Sequence, residues 1–393
     1  YERRKEMKGR ILLAVVGLVL SLIAGAMGEE AKTLFSKDQF TFETQDGNFS
    51  LTLGGLIQFR YWFLNASEME EIMVEEENLS SFQVKRAKLI LGGHVWRKEM
   101  TYKFIANFGT KDDKKLLEDV YLNYAFADSF NIRLGQYKVP FSRQFMVSSQ
   151  DLQLPDDSIA SNRMAHGRDQ GVMLHGLLID DRLEYQAGIF NGNGIEQKQN
   201  EDNKHMGVLR VNFMPFGFMK LTELNLDGKE EFRLSVAGSY LYNPYPADLD
   251  GDDIEEEYKD QRWGVELAAS YGRFYGQAEY YGKTFDADIE DFEAIHSMAW
   301  YAQLGAFVIP KKLELAARYS QFDPNTANHD DDGSDADLQT ELTGGLNIFF
   351  HKNNLKLQTS YSYLTQDYPA PDDPYDIKTR ESHLLITQFQ LLF

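Results

Sequence analysis

The run Phe49-Ser50-Leu51-Thr52-Leu53-Gly54-Gly55-Leu56-Ile57-Gln58-Phe59-Arg60-Tyr61-Trp62-Phe63 decides how this chain is read. Phe49, Leu51, Leu53, Ile57, Phe59, Tyr61 and Phe63 fall on one parity, and Ser50, Thr52, Gln58 and Arg60 on the other. Successive side chains of a strand point to opposite faces, so this period of two predicts one apolar and one polar face. The run is also much longer than the about 5–6 residues usual in globular strands. A long strand of this kind suits a wall between lipid and water.

Working outward, the pattern recurs along the chain. Ala87, Leu89 and Leu91 oppose Arg86 and Lys88; Val120, Leu122 and Tyr124 oppose Asp119 and Asn123. In the second half, Leu304 and Ala306 oppose Gln303, while Leu342 and Leu346 oppose Glu341 and Asn347. Counting such runs predicts about sixteen strands, an even number as in bacterial outer-membrane barrels. Connections alternate between short and long. Short ones fall at Arg97-Lys98-Glu99, Asp180-Asp181 and Lys352-Asn353, and long ones at residues 65–81, 140–170, 243–260, 323–337 and 367–380. A soluble sandwich or β-helix does not require that alternation. The link Pro215 to Glu230 breaks it, being long where a short turn is due.

The totals agree with a membrane wall. Mean hydropathy is −0.44, yet 21 Tyr and 27 Phe are present, as aromatic belts at a membrane boundary require. The absence of Cys excludes disulfides and thiolate chemistry, and the net charge of −21 opposes nucleic-acid binding. Ile11 to Met27 is apolar, follows Lys8 and Arg10, and ends in Ala24-Gly25-Ala26. It reads as a signal peptide spanning 1–26, with 1–6 as an extension, because it is short of the about 20 residues of a spanning helix. Residues 27–48 read as a polar lead-in and 49–393 as the barrel.

Between Asn131 and His175 the rhythm breaks. After Asn131-Ile132-Arg133-Leu134-Gly135-Gln136-Tyr137, some thirty residues lack a period, and alternation resumes at Gly171. An excursion of that length inside an ordered array is functional or disordered. Its apolar content (Val139, Phe141, Phe145, Met146, Leu152, Leu154) argues for order. The expectation is a third long loop folded into a pore.

Three stretches then carry a resemblance: Arg86-Ala87-Lys88-Leu89, Leu134-Gly135-Gln136-Tyr137-Lys138-Val139-Pro140-Phe141, and Gly167-Arg168-Asp169-Gln170-Gly171-Val172. With Asp46-Gly47-Asn48-Phe49, they resemble the phosphate-selective porin O and P family from about Phe40 to Phe393. The resemblance implies a sixteen-stranded, homotrimeric outer-membrane porin with an inward third loop and a lumen lined by Arg and Lys. The terminal Phe393 resembles the assembly signal of such barrels.

The polar parity gives a lumen set of its own. Its basic members are Arg60, Arg86, Lys88, Lys103, Arg133, Arg210, Arg233, Arg262, Arg318 and Lys356; its acids are Asp119, Glu184, Glu266, Glu279, Glu314 and Glu341. The central loop adds Lys138, Arg143, Arg163, His166 and Arg168, offset by Asp151, Asp156, Asp157 and Asp169. Rings of Arg and Lys favour anions by replacing lost hydration with charge-assisted bonds. Paired Arg and Glu simply solvating a wide channel is the plain alternative.

Acids crowd three other loops, among them Asp250, Asp252, Asp331 and Asp335, which could hold divalent cations or stand as solvated charge. No Gly-x-Ser-x-Gly or His-containing triad is apparent. The expectation is therefore a passive channel without cofactor, for small anions such as phosphate and in contact with outer-membrane lipid. A structural or adhesive barrel, or a barrel enzyme, are the rivals.

Overall fold

The computed structural model describes residues 32–36, 39–67, 77–110, 115–200, 202–247, 256–287, 292–326, 338–370 and 373–393. The segment expected to be a signal peptide and most of the acid-rich loop residues, including Asp250, Asp252, Asp331 and Asp335, lie outside these.

Two short strands lead in, β1 (Lys32–Ser36) and β2 (Gln39–Glu43). The first half of the barrel follows as β3 (Ser50–Ala66), β4 (Glu77–Val95), β5 (Arg97–Asn107), β6 (Leu117–Ala127), β7 (Phe130–Lys138), β8 (Arg168–Leu178), β9 (Leu183–Phe190) and β10 (Met206–Phe213). The second half is β11 (Arg233–Ala247), β12 (Glu256–Tyr271), β13 (Phe274–Ala287), β14 (Ile295–Ile309), β15 (Leu313–Asp323), β16 (Gln339–His351), β17 (Leu355–Ala370) and β18 (Asp373–Leu392). Each strand from β3 pairs antiparallel with the next, and β18 returns to β3 along Ser382↔Ala66 to Leu392↔Leu56. Setting aside β1 and β2, the remaining sixteen of eighteen strands close on themselves. Closure leaves no unpaired edge, the condition for a sheet to cross hydrocarbon.

The two parities separate as their chemistry demands. Leu304, Leu315, Leu342 and Leu267 are exposed, while Gln303, Glu314, Glu341 and Glu266 on the opposite faces are buried. This inverts a soluble protein: the apolar face is the outer one, and the polar groups pack inside, where hydrogen bonds must satisfy them. The seam is finished by the last residue. Phe393 donates its N–H to the carbonyl of Gly55 at 3.0 Å and accepts from the Gly55 N–H at 2.7 Å.

Several expectations need correcting. The turn expected at Arg97-Lys98-Glu99 is Trp96 alone, since β5 starts at Arg97. The loops expected at 65–81, 243–260 and 367–380 are shorter, because the flanking strands pair on past the apolar band; Ala370 still faces Asp373. Within the expected polar lead-in, Gln39–Glu43 form β2, which pairs with the start of β3. A bulge in β4 escaped the alternation count. Gln58 pairs with Arg86 but Phe59 with Val84, which leaves Lys85 as the extra residue.

The long link between β10 and β11 also has its explanation. Met214 and Met219 pack with Ala268 and Tyr275, and Leu224 packs with Phe307 and Phe349. An apolar strip in a connecting segment is buried against the barrel rather than left as a rim turn.

Candidate functional site

The segment between β7 and β8 carries two short helices, α1 (Arg143–Met146) and α2 (Ile159–Met164). Ser142 caps the first by accepting from the Phe145 N–H, and Ser158 caps the second by accepting from the Ser161 N–H. Their starts meet carboxylates from distant strands. Glu279 of β13 accepts the backbone N–H groups of Arg143 and Gln144, each at 2.7 Å. Glu341 of β16 accepts that of Ile159 at 3.0 Å, and Ser320 of β15 that of Ala160 at 3.1 Å. Charge-assisted bonds of this kind are stronger than neutral ones.

Further bonds hold the stretch between the helices. The Asn347 side chain donates to the carbonyl of Gln153 at 2.7 Å, and Lys356 Nζ donates to those of Gln150 and Leu152 at 2.8 and 3.1 Å. The segment thus lies against β13 to β17, and Glu279, Glu314 and Glu341 are occupied by its donors.

Opposite this packed side, against β4 to β8, two open spaces remain. One, of about 530 Å³, is lined by Lys85, Arg86, Glu118 and Asp157; the other, of about 680 Å³, by Tyr102, Lys103, Asp119, Tyr121 and Arg133. Lys88, Lys138, Ser149 and Arg168 line both. The first space is bordered by five cations and two carboxylates, the second by five cations and one. Lys88 meets Glu118 at 2.7 Å and Ser149 Oγ at 3.1 Å. Arg168 meets Asp119 at 2.7 Å and Glu118 at 3.3 Å. Lys138 donates to the carbonyls of Phe145 and Val147 at 2.6 and 2.7 Å.

The expected basic residues divide into two groups. Arg86, Lys88, Lys103, Arg133, Lys138 and Arg168 come together around these spaces. Arg133 lies over the rings of Tyr121 and Tyr137 at 4.5 and 5.5 Å. The others are tied up elsewhere. Arg60 pairs with Asp156 at 2.5 Å, Arg210 with Glu266 and Glu184, Arg262 with Asp260, and Arg318 with Glu341 at 2.5 Å. Lys356 is spent on loop carbonyls, and Arg233 on Glu231 and the Phe216 carbonyl. In the loop, Arg143 is buried against Tyr275, Ser235 and the Lys220 carbonyl; Arg163 reaches Gln339 and the ring of Phe322; His166 meets Asp169 at 3.0 Å.

Residues missed by the sequence reading are Lys85, Glu118, Ser149 and Glu223. Lys85 was hidden by the bulge, although the doublet Lys85-Arg86 interrupting the alternation was a signal. Nothing local marked Ser149. Glu223 sits among Met219, Leu221, Leu224 and Leu226, and a lone acid in an apolar link is a legible oddity.

A closed sixteen-stranded antiparallel barrel with an apolar outer face and a polar, partly filled interior defines an outer-membrane porin. The chain belongs to the phosphate-selective porin O and P family, whose model matches residues 72–393. A protein of Aquifex aeolicus is 25% identical over 295 residues, 68% of this chain and 66% of that one. Porin O of Pseudomonas aeruginosa is 21% identical over 350 residues, 80% of this chain and 74% of its own length. Among solved structures, the outer-membrane channel DcaP of Acinetobacter baumannii matches with a TM-score of 0.61 at 12% identity, over 90% of this chain and 99% of that one. The anion-selective porin from Comamonas acidovorans matches with a TM-score of 0.57 at 12% identity, over 88% and 100%. At such identities these two likenesses concern the fold.

Proposed function

We propose that the chain is a passive diffusion channel for small solutes with a preference for anions, phosphate-like oxyanions included. In this reading the segment between β7 and β8 folds inward and narrows the passage, which runs along β4 to β8. The observation that carries it is the set Lys88, Lys138 and Arg168 bordering both open spaces. Any solute moving from one space to the other passes these three cations. Glu118 and Asp119 compensate part of their charge, while Lys103, Arg133 and Arg86 stand beside them without a carboxylate partner among the described residues. An excess of positive charge at a narrow, partly desolvated place raises the local concentration of anions and lowers their cost of dehydration.

Membership of a phosphate-selective family supports the same preference, and the family resemblance supports a homotrimer. Export by the segment Ile11 to Met27, cut after Ala26, belongs to this proposal. The test is the reversal potential of purified protein in a planar bilayer under a salt gradient. The sign of anion preference is expected, and a cation-preferring potential would overturn the reading.

A further inference from the structure

Glu223 lies in the link between β10 and β11, and it is 1% exposed. Its carboxylate accepts from four donors. Oε1 takes the side-chain N–H groups of Gln144 and Gln277 at 3.0 and 2.7 Å. Oε2 takes the backbone N–H of Gln153 and the side chain of Gln303 at 2.8 and 2.9 Å. An ionised carboxylate is acceptor-only, with about four lone-pair sites, so the group is saturated by neutral donors. The Glu223 N–H also donates to the carbonyl of Asp151 at 3.2 Å.

The donors come from three directions. Gln144 and Gln153 belong to the segment between β7 and β8, Gln277 to β13 and Gln303 to β14. The link itself is fixed by Leu224 against Phe307 and Phe349 and by Met219 against Met214 and Tyr275. The link starts at one end of the barrel and the β7–β8 segment at the other. They meet at the Glu223 carboxylate, beside which the Glu223 N–H donates to Asp151 and Arg143 donates to the Lys220 carbonyl. Gln144 and Gln153 also bracket Phe145, Val147 and Ser149, which border the first space.

We infer that Glu223 is a positioning residue that sets the width of the passage, by holding the β7–β8 segment back against β13 and β14 from the opposite end of the barrel. The inference rests on the reading that this segment narrows the channel. Removing the carboxylate leaves four buried donors short of an acceptor, and the Gln153 backbone N–H has no rotamer with which to seek another. The stretch 144–153 then loses its carboxylate tether on the link side, while the Asp151 carbonyl keeps the Glu223 N–H and the segment keeps Glu279 and Glu341. The expected result is a segment that moves, not a barrel that fails to form.

The full-length protein in planar bilayers provides the test, with the SDS-resistant, heat-shifted band used to show that each variant is folded. E223A is expected to change single-channel conductance by about twofold and to add flicker between levels. E223Q, which keeps one acceptor oxygen, is expected to fall between E223A and the unsubstituted protein. A merely structural role would lower the folded yield and leave the conductance of folded channels unchanged. S149W tests the underlying reading separately, since a large ring at a position bordering both spaces must reduce conductance if the passage runs there. Reduced conductance in S149W with steady, unchanged conductance in folded E223A and E223Q overturns the role of Glu223 alone. Unchanged conductance in S149W as well overturns the constriction.

Discussion

Arg133 and Arg318 both stand on inward parities, yet their surroundings give them different work. Arg318 is 4% exposed, holds Glu341 at 2.5 Å and donates to the carbonyls of Asp156 and Asp157. Removing it strands a buried carboxylate, a loss of about 3–5 kcal/mol. Arg133 has tyrosine rings and Asn123 for company, and Lys103 shares its space. R133Q combined with K103Q is expected to reduce the anion-to-cation permeability ratio severalfold with little change in the denaturation midpoint. R318Q is expected to lower that midpoint, followed by heat or urea, and to leave selectivity nearly intact. Equal effects of the two on selectivity would contradict the division drawn between them. The alternation put both residues on the polar parity. It had no means of telling an occupied arginine from an available one, because the partners of Arg318 lie far along the chain and come partly from an aperiodic loop.

At the scale of elements, the β7–β8 segment is held by groups that a sequence presents as pore charge. Glu279, Glu314 and Glu341 read as lumen acids on the polar parity, whereas Glu279 and Glu341 close the helix starts and Glu314 accepts from Gln153 and Asn347. That the segment is long and ordered was legible from its apolar residues. Which wall it meets was not, since that depends on donors and acceptors matched across more than a hundred residues.

One carboxylate of the segment does border the open side. Burial raises the Asp157 carboxyl to about 6, against the pull of Lys138. Below that value Asp157 is neutral and the positive excess around the first space grows; above it the charge returns. Anion preference is therefore expected to be greater at about pH 5 than at about pH 8. Reversal potentials at the two values measure this, and D157N is expected to fix the preference at its acid level. A D157N channel that keeps the full pH dependence would assign it to another group.

For the whole molecule, the hydrogen-bonded circuit from β3 round to β18 and back has no free edge at which detergent could begin to unravel it. Unheated protein is expected to run as a compact band in SDS and to shift on boiling, and the absence of a shift would contradict closure. The strand count and alternating connections announced this architecture, because period two and aromatic content are local properties. Strand ends were less legible: β17 and β18 pair well past the apolar band, where composition turns acidic and looks like loop.

The mooring of the β7–β8 segment has a practical meaning. It is attached largely through its own main chain, by the N–H groups of Arg143, Gln144, Gln153, Ile159 and Ala160 and the carbonyls of Gln150, Leu152 and Gln153. The fastening therefore does not depend on which side chains point the other way, at Phe145, Val147 and Ser149. In the proposed channel the segment is a filter cartridge in a fixed mount, whose mesh can be exchanged while the fitting stays the same.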